Sequence, residues 1–366
     1  MHSDLLLILD RRNMLVQLEG STLRIEQPNR DLQRVPLGLL GLVVVHGAPA
    51  VTCDVWRALS ERGIPAVLVP TRGQGNVAWI GSGLSNTIQF RRQQHRQADR
   101  PEVALAIARQ VVSMKLHYQQ QLAMGLALWW ELPASGSPVE TLRAIFENKQ
   151  NGLASATDRS AIMGFEGAAA AAWYGWLALN LPPAWGFVSR NRRPPRDPVN
   201  ALLSLGYTLL GGEMFGAVQA AGLDPALGFL HGVVPGRESL VLDLIEPLRP
   251  GVDALVLGLL DRTLTPRHFT FQEEQGCRLN KEGRGLFYRA WAEARWRWPL
   301  PIASDAGLSL QPDEVELRTE GLIETAGDAS LGTQCRRMVR VLRTLMRSDG
   351  REAPLRFDSQ KEEDHG

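Results

Sequence analysis

The chain has 366 residues, of which 44% are hydrophobic and 22% are charged, and its formal net charge at pH 7 is +1. This composition is ordinary for a globular protein and excludes fibrous and intrinsically disordered classes. The near-zero net charge also excludes a surface that is positive throughout. Cys53, Cys277 and Cys335 are far apart and lack CxxC spacing, which argues against a disulfide framework or a zinc site and favours a reducing cytoplasm.

The N-terminus carries an apolar run that is too short for a signal peptide and soon meets charged residues. No apolar stretch is expected to approach the roughly 20 residues that a membrane helix requires. We therefore expect a soluble protein with no membrane partner.

Short apolar or alternating runs occupy the first 82 or so residues, separated by turn-like DRRN, GST and PNRD segments. This pattern predicts strands and hairpins, interrupted by one amphipathic helix from about Thr52 to Arg62. The predicted strands lie in LLLILD, MLVQLEG, LRIEQ, LQRVPLG, LGLVVVHG, AVLVPT and NVAWIG.

From about residue 88 the hydrophobic period becomes helical. The segment from QFRR to LWW predicts several helical turns, with Pro101 as a plausible helix start. Further helices are predicted near 139–156, 158–180, 197–221, 238–260, 282–297 and 328–347. The expected fold is α+β: an N-terminal β domain at 1–85, a larger, mainly helical domain at 86–350 and a flexible tail at 351–366.

Basic residues cluster at 91–100, 190–196 and 336–347. A neutral total charge can conceal a local phosphate-binding stripe, because affinity for nucleic acid depends on which phosphates are neutralised. Solvated helix faces are the alternative for each cluster.

Three polar side chains in the middle of the chain suggest a metal site. Glu166 lies in GFEGAAAAAW, His231 is the next-to-last residue of GLDPALGFLHG, and Glu246 lies in SLVLDLIEPLRP. A histidine with two carboxylates suits manganese, and tolerates magnesium when water or phosphate oxygens complete the coordination. Because such an ion can stabilise the attacking and leaving oxygens of a phosphodiester, this set points towards nucleic acid.

Other roles for these residues stay open. An acid such as Glu166, in a helix of small apolar residues, is costly to bury unless it is paired or metal-bound, and an arginine is an alternative partner. His231 could be a satisfied core histidine, although Gly228 and Gly232 permit a tight turn that exposes it.

Asp243 and Glu246 are spaced i and i+3, so they share a helical face and repel unless a cation or a proton separates them. Pro247 lacks an amide N–H and should free the carbonyl of Asp243, which predicts a kink at Glu246. A helix cap, or an ion pair with Arg237 or Arg249, is the alternative for these acids.

Several motifs occur together along the chain. GFEG, PPRDPVNALLSLGYTLL, GFLH, GRESL and LIEPLRP follow one another between a strand-rich region with a DRR hairpin and a basic helix, QCRRMVRVLRTLM. In this set the chain closely resembles the Cas1 family of CRISPR-associated adaptation integrases. The resemblance implies that the helical domain is catalytic and that the β domain forms a dimer interface.

The resemblance also implies roles for individual residues. Glu166, His231 and Glu246 would be the catalytic metal ligands for Mg²⁺ or Mn²⁺, with Asp243 as a supporting acid. Other residues would line the site or its walls: Asn200, Ser204, Tyr207, Arg237 and Ser239. Arginines in and beyond the proline-stiffened loop could hold DNA phosphates: Arg190, Arg192, Arg193, Arg196 and Arg249.

The activity implied is metal-dependent joining of short DNA fragments to a CRISPR repeat by attack of a 3′ hydroxyl, with endonuclease activity when water attacks instead. The implied partners are a prespacer duplex, the repeat DNA, a second copy of the chain and a bridging Cas2 dimer, which together make a heterohexamer. A casposase-type transposon integrase is the alternative. Such an enzyme would ordinarily carry additional DNA-binding domains, and 366 residues leave little room for them. A non-catalytic DNA-binding scaffold and a small-molecule hydrolase are weaker alternatives.

Overall fold

The computed structural model describes residues 5–70, 77–81, 88–133, 138–192, 194–300 and 330–348. The predicted tail at 351–366 and the DNA-binding candidate Arg193 lie outside these ranges.

Two four-stranded sheets form the N-terminal region. In one sheet, β1, β5 and β7 run parallel and β8 is antiparallel to β7, in the order β1-β5-β7-β8. In the other, β4-β3-β2 is an antiparallel meander and β6 adds in parallel to β2. The elements are β1 Leu5–Leu9, β2 Leu15–Glu19, β3 Thr22–Glu26, β4 Gln33–Pro36, β5 Leu40–His46, β6 Ala50–Val51, α1 Cys53–Glu61, β7 Ala66–Val69 and β8 Ala78–Ile80.

Strand β5 connects the two cores of the protein. Successive side chains of a strand point to opposite faces, and β5 is apolar on both. Val43 and Val45 belong to a core formed with α1 and the second sheet, whereas Leu42 and Val44 belong to the core of the helical region. The first sheet is therefore covered on both faces, as its nearly continuous apolar sequence LGLVVVH predicts.

Helices make up most of the remainder. The long helical segment predicted after residue 88 consists of two helices, and Pro101 is the first residue of the second. The predicted α+β class is confirmed, but a short hairpin, β9–β10, was not expected. The elements are α2 Ile88–Ala98, α3 Pro101–Trp129, α4 Pro138–Ala154, α5 Arg159–Asn180, α6 Pro198–Ala220, α7 Ser239–Ile245, α8 Arg249–Arg262, β9 Phe269–Gln272, β10 Gly276–Leu279, α9 Lys281–Trp296 and α10 Leu331–Arg347.

Helix α6 docks directly on the first sheet. A Cβ at Gly211 would overlap the Trp79 ring, and one at Gly212 would overlap Val67. Glycine therefore permits the close approach of helix and sheet. By length and composition alone α6 could cross a membrane, which corrects the expectation that no such stretch exists, but 67% of its apolar window is buried inside the protein.

Candidate metal centre and its surroundings

Asp243 organises the loop that carries His231. Its buried carboxylate on α7 accepts hydrogen bonds from the backbone N–H groups of Phe229 (2.5 Å), Leu230 (2.9 Å) and His231 (2.9 Å). The same carboxylate lies 2.7 Å from His231 Nδ1. Because an ionised carboxylate only accepts, Nδ1 carries the hydrogen, and the lone pair of this tautomer lies on Nε2.

The sequence around His231 fits this arrangement. A Cβ at Gly228 would lie 2.7 Å from Asp243 Oδ2 and 2.9 Å from the His231 carbonyl oxygen, so the tight loop requires glycine there. Beyond the histidine, the carbonyl of Gly232 accepts hydrogen bonds from Ser239 Oγ (2.8 Å) and from the Arg237 guanidinium. Arg237 and Ser239 thus hold the far side of the loop.

Glu246 projects from a break between two helices. Helix α7 ends at Ile245, a 3₁₀ turn spans Glu246–Leu248, and α8 begins at Arg249. The predicted interruption at Pro247 is present, but the predicted free carbonyl is not: the backbone N–H of Glu246 donates to the carbonyl of Asp243. The tighter 3₁₀ pattern satisfies this carbonyl in place of the bond that proline removes.

Lys115, from the middle of α3, joins the two predicted glutamate ligands. Its ammonium Nζ donates to Glu166 Oε1 on α5 and, at 2.6 Å, to Glu246 Oε2. Arg249 Nη1 lies 3.0 Å from the second oxygen of Glu246. The carboxylate of Glu246 is therefore held between two cations, in a site where Lys115 is 3% and Glu246 2% exposed.

The charges in this cluster stabilise one another. Burial raises the pKa of Glu246, but Arg249 and Lys115 outweigh burial and bring it down to about 2. Burial lowers the pKa of Lys115, yet Glu246 and Glu166 raise it above its usual value. At neutral pH the lysine is charged and so is Glu246.

A second buried acid lies in a neighbouring cluster. Asp253 on α8 accepts hydrogen bonds from the hydroxyl of Tyr207 and from Trp173 Nε1 (3.0 Å). The hydroxyl of Tyr174 lies 3.1 Å from that of Tyr207. Burial raises the pKa of Asp253 to about 6, because two neutral donors compensate a carboxylate less than a cation would.

The face of Tyr207 connects this cluster to the first. The Arg249 guanidinium lies 5.0 Å from the centre of its ring, and the Arg190 guanidinium lies 5.6 Å from it. Arg190 also donates to Asn200 Oδ1 (2.7 Å) and to Ser204 Oγ (3.1 Å). Asn200, Ser204 and Tyr207, predicted to line the site, therefore share one guanidinium.

The predicted DNA-binding arginines fall into two groups. Arg190 and Arg249 are directed inward and make the contacts just described, whereas Arg192 and Arg196 are exposed. The ion pair between Arg249 and Glu246, one of the alternatives considered from the sequence, is present. Arg249 is thus first a partner of the acidic cluster, and its role as a DNA ligand stays a prediction.

Lys115 brings Glu166 and Glu246 together, but the three predicted metal ligands do not form a preassembled metal site. Within the described ranges, no three His, Cys, Asp or Glu side chains are grouped closely enough to hold a metal ion. The space between Glu166 and Glu246 holds the Lys115 ammonium. Lys115 was not predicted from the sequence. Its isolated charge in the apolar run VVSMKLHY nevertheless indicates a buried partner, as the charge of Glu166 does.

The fold and the site together define an α+β protein with a buried acid–histidine centre in its helical part. The profile described as CRISPR associated protein Cas1 matches residues 7–293. The CRISPR-associated endonuclease Cas1 2 of Rhodospirillum rubrum is 33% identical over 296 residues, which covers 78% of this chain and 82% of the relative. The chain belongs to the Cas1 family of CRISPR-associated endonucleases, as the sequence motifs predicted.

Solved structures agree with this fold. A Cas1 protein from Thermotoga maritima matches with a TM-score of 0.73 at 21% identity, covering 93% of this chain and 96% of that one. A chain of a Cas6-RT-Cas1–Cas2 complex gives 0.74 at 22% identity, over 94% of this chain and 35% of that one.

A casposase bound to integration product also matches, with a TM-score of 0.77 at 19% identity. The match covers 99% of this chain and 96% of the casposase chain. The expected difference in length is therefore absent from this one comparison, which shows a shared fold.

Proposed function

We propose that this Cas1-family enzyme is a metal-dependent DNA integrase and endonuclease that inserts short foreign DNA fragments into a CRISPR array. The observation that carries the proposal is the pairing of Asp243 with His231 Nδ1, which leaves Nε2 available as a metal donor. A carboxylate-bound histidine with a fixed tautomer is the usual form of a metal-ligating histidine. The adaptation role follows from the family, and the residues supply the chemistry.

The donors suit Mg²⁺ or Mn²⁺ held by Glu166, His231 and Glu246. Two carboxylates already gathered around a cation fit a divalent ion, and the imidazole favours manganese among the two. When bound, the ion would polarise the scissile phosphate and stabilise the oxygens exchanged at phosphorus. Asp243 would hold the imidazole in place, and Arg249 would remain beside the Glu246 carboxylate.

The partners proposed for the enzyme are a prespacer duplex, the CRISPR repeat, a second copy of the chain and a Cas2 dimer that completes a heterohexamer. Family membership and one structural neighbour, a chain of a Cas6-RT-Cas1–Cas2 complex, support the last of these. For the homodimer we propose the β domain at 1–85, where β4 is an edge strand with three of its four residues exposed. The catalytic domain would span 86–350, the tail 351–366, and the enzyme would act in the cytoplasm.

An integration assay tests this function directly. The protein, its candidate Cas2 partner, a labelled short duplex and a repeat-bearing plasmid are incubated with and without Mn²⁺, and joined product is resolved on a gel. E166Q, H231A and E246Q should each lower joining by at least about 10³-fold, because each removes a ligand donor. E293Q, an exposed acid on α9, is the control and should join normally.

Joining at the wild-type rate in any of the three variants would remove that residue from the site. Insertion that ignores the repeat would favour the casposase-type alternative. DNA binding without joining or cleavage under any metal would support a non-catalytic scaffold.

A further inference from the structure

Lys115 holds the position that gives the two glutamates their geometry. Its ammonium contacts Glu166 Oε1 and Glu246 Oε2 at once, from a helix on which neighbouring residues 111–116 are also buried. Both oxygens of Glu246 have a cationic neighbour, because Arg249 lies beside Oε1. Without Lys115, two carboxylates from separate helices would face each other with only Arg249 to offset their charge.

A divalent ion bound to both acids would need an oxygen of Glu246, and both of those oxygens already lie beside cations. An ion bound to both Glu166 and Glu246 must share lone pairs with the ammonium or displace it, and two cations at one carboxylate pair repel each other. The ammonium therefore both assembles the acids in the absence of metal and opposes metal entry.

We propose that Lys115 is a positioning residue that serves as an internal counter-cation, bridging Glu166 and Glu246 until a divalent ion displaces it. This inference rests on the proposed metal-dependent function. Each of the two carboxylates then exchanges one cationic partner for another. The fold of the site is kept in both states, and metal affinity is weaker than the acids alone would give.

Metal binding tests this inference without measuring activity. Chelator-treated full-length protein is titrated with Mn²⁺, and free Mn²⁺ is followed by electron paramagnetic resonance. K115M should bind Mn²⁺ at least about tenfold more tightly than wild type, since a like charge is removed from the site. K281M, at an exposed position on α9, should leave the affinity unchanged. Mn²⁺ should also raise the melting temperature of K115M more than that of wild type.

Variants of graded chemistry keep the test decisive. K115R retains the charge and should bind Mn²⁺ no more tightly than wild type, and tighter binding would overturn the counter-cation role. If K115M does not fold without metal, K115Q is titrated instead, with the same tighter binding expected.

Two results would count against the inference in different ways. Equal or weaker Mn²⁺ affinity on removing the lysine would overturn the role of Lys115 while leaving the metal site in place. Absence of Mn²⁺ binding in wild type and variants alike would overturn both the inference and the proposed function.

Discussion

Two buried acids of the helical region, Glu246 and Asp253, have pKa values shifted in opposite directions. They are 2% and 1% exposed, so burial opposes ionisation of both. Glu246 has Lys115 and Arg249 beside it, and its pKa falls to about 2. Asp253 has a phenol and an indole, and its pKa rises to about 6.

The difference teaches which acid is prepared for a cation. A carboxylate held ionised by side-chain cations can exchange one of them for a metal ion, whereas one held by neutral donors fixes its surroundings instead. Glu246 belongs to the exchangeable class. Asp253 anchors Tyr207 and Trp173, and through the Tyr207 ring it supports the two arginines beside the site.

Removing the Glu246 carboxylate should have the largest effect on stability. E246A leaves Lys115 and Arg249 buried without their shared partner, and loss of one member of a buried ion pair costs about 3–5 kcal/mol. Urea unfolding in chelator would measure the loss.

H231A provides the comparison for that measurement. Its side chain is 23% exposed and supplies one of the four hydrogen bonds that Asp243 accepts, so its removal should cost about 1 kcal/mol. If E246A lost no more unfolding free energy than H231A, this would mean that Lys115 and Arg249 had found other partners.

Asp253 should oppose folding as pH rises. Its folded pKa of about 6 lies above the ordinary 3.8, so the native state holds the proton more tightly and loses stability as pH increases between these values. D253N has no such titration. The stability of D253N relative to wild type should therefore increase by about 2–3 kcal/mol between pH 4 and pH 7.

Denaturant unfolding at several pH values tests this difference. D261N, an exposed acid at the end of the same helix, is the control and should follow wild type. A D253N curve parallel to wild type across the range would mean that Asp253 is ionised throughout, and the contrast with Glu246 would disappear.

The sequence predicted the parts of the site that local pattern controls. Gly228 and Gly232 indicated a tight turn around His231, and Pro247 indicated the break at Glu246. Apolar or alternating runs predicted seven of the strands in the N-terminal region, because strand alternation is itself local, but not the two-residue β6. Pro101, predicted as a plausible helix start, begins α3, whereas the end of α2 just before it was not predicted.

Long-range pairings could not be read in the same way. Lys115 meets partners 51 and 131 residues further along the chain, and neither spacing reflects any periodicity. The division of the arginine loop is similar, because only the packed structure shows that Arg190 turns inward to Asn200. A charge in an apolar helix predicts that a partner exists, but the tertiary fold decides which one.

The smallest effects should distinguish the inward arginine from the exposed ones. R190A removes a donor from Asn200 Oδ1 and Ser204 and should cost about 1–3 kcal/mol of stability, whereas R192A/R196A should change stability by less than about 0.5 kcal/mol. For DNA affinity the order should reverse, with a larger effect for R192A/R196A than for R190A. If both exposed arginines contact phosphates, the double variant should reduce the magnitude of the slope of log affinity against log salt by about 1.8 for duplex DNA. Alanine at all four loop arginines, Arg193 included, should reduce that magnitude further.

Fluorescence anisotropy of a labelled duplex, titrated at several salt concentrations, would measure that slope while Mn²⁺ binding is checked in parallel. The metal site should stay occupied in R192A/R196A, because neither residue is among the contacts of Glu166, His231 or Glu246 described above. An unchanged slope would make the loop a solvated face. The DNA path would then be sought on α10, where Arg336, Arg340 and Arg347 are exposed, and the same titration of their alanine variants would decide it.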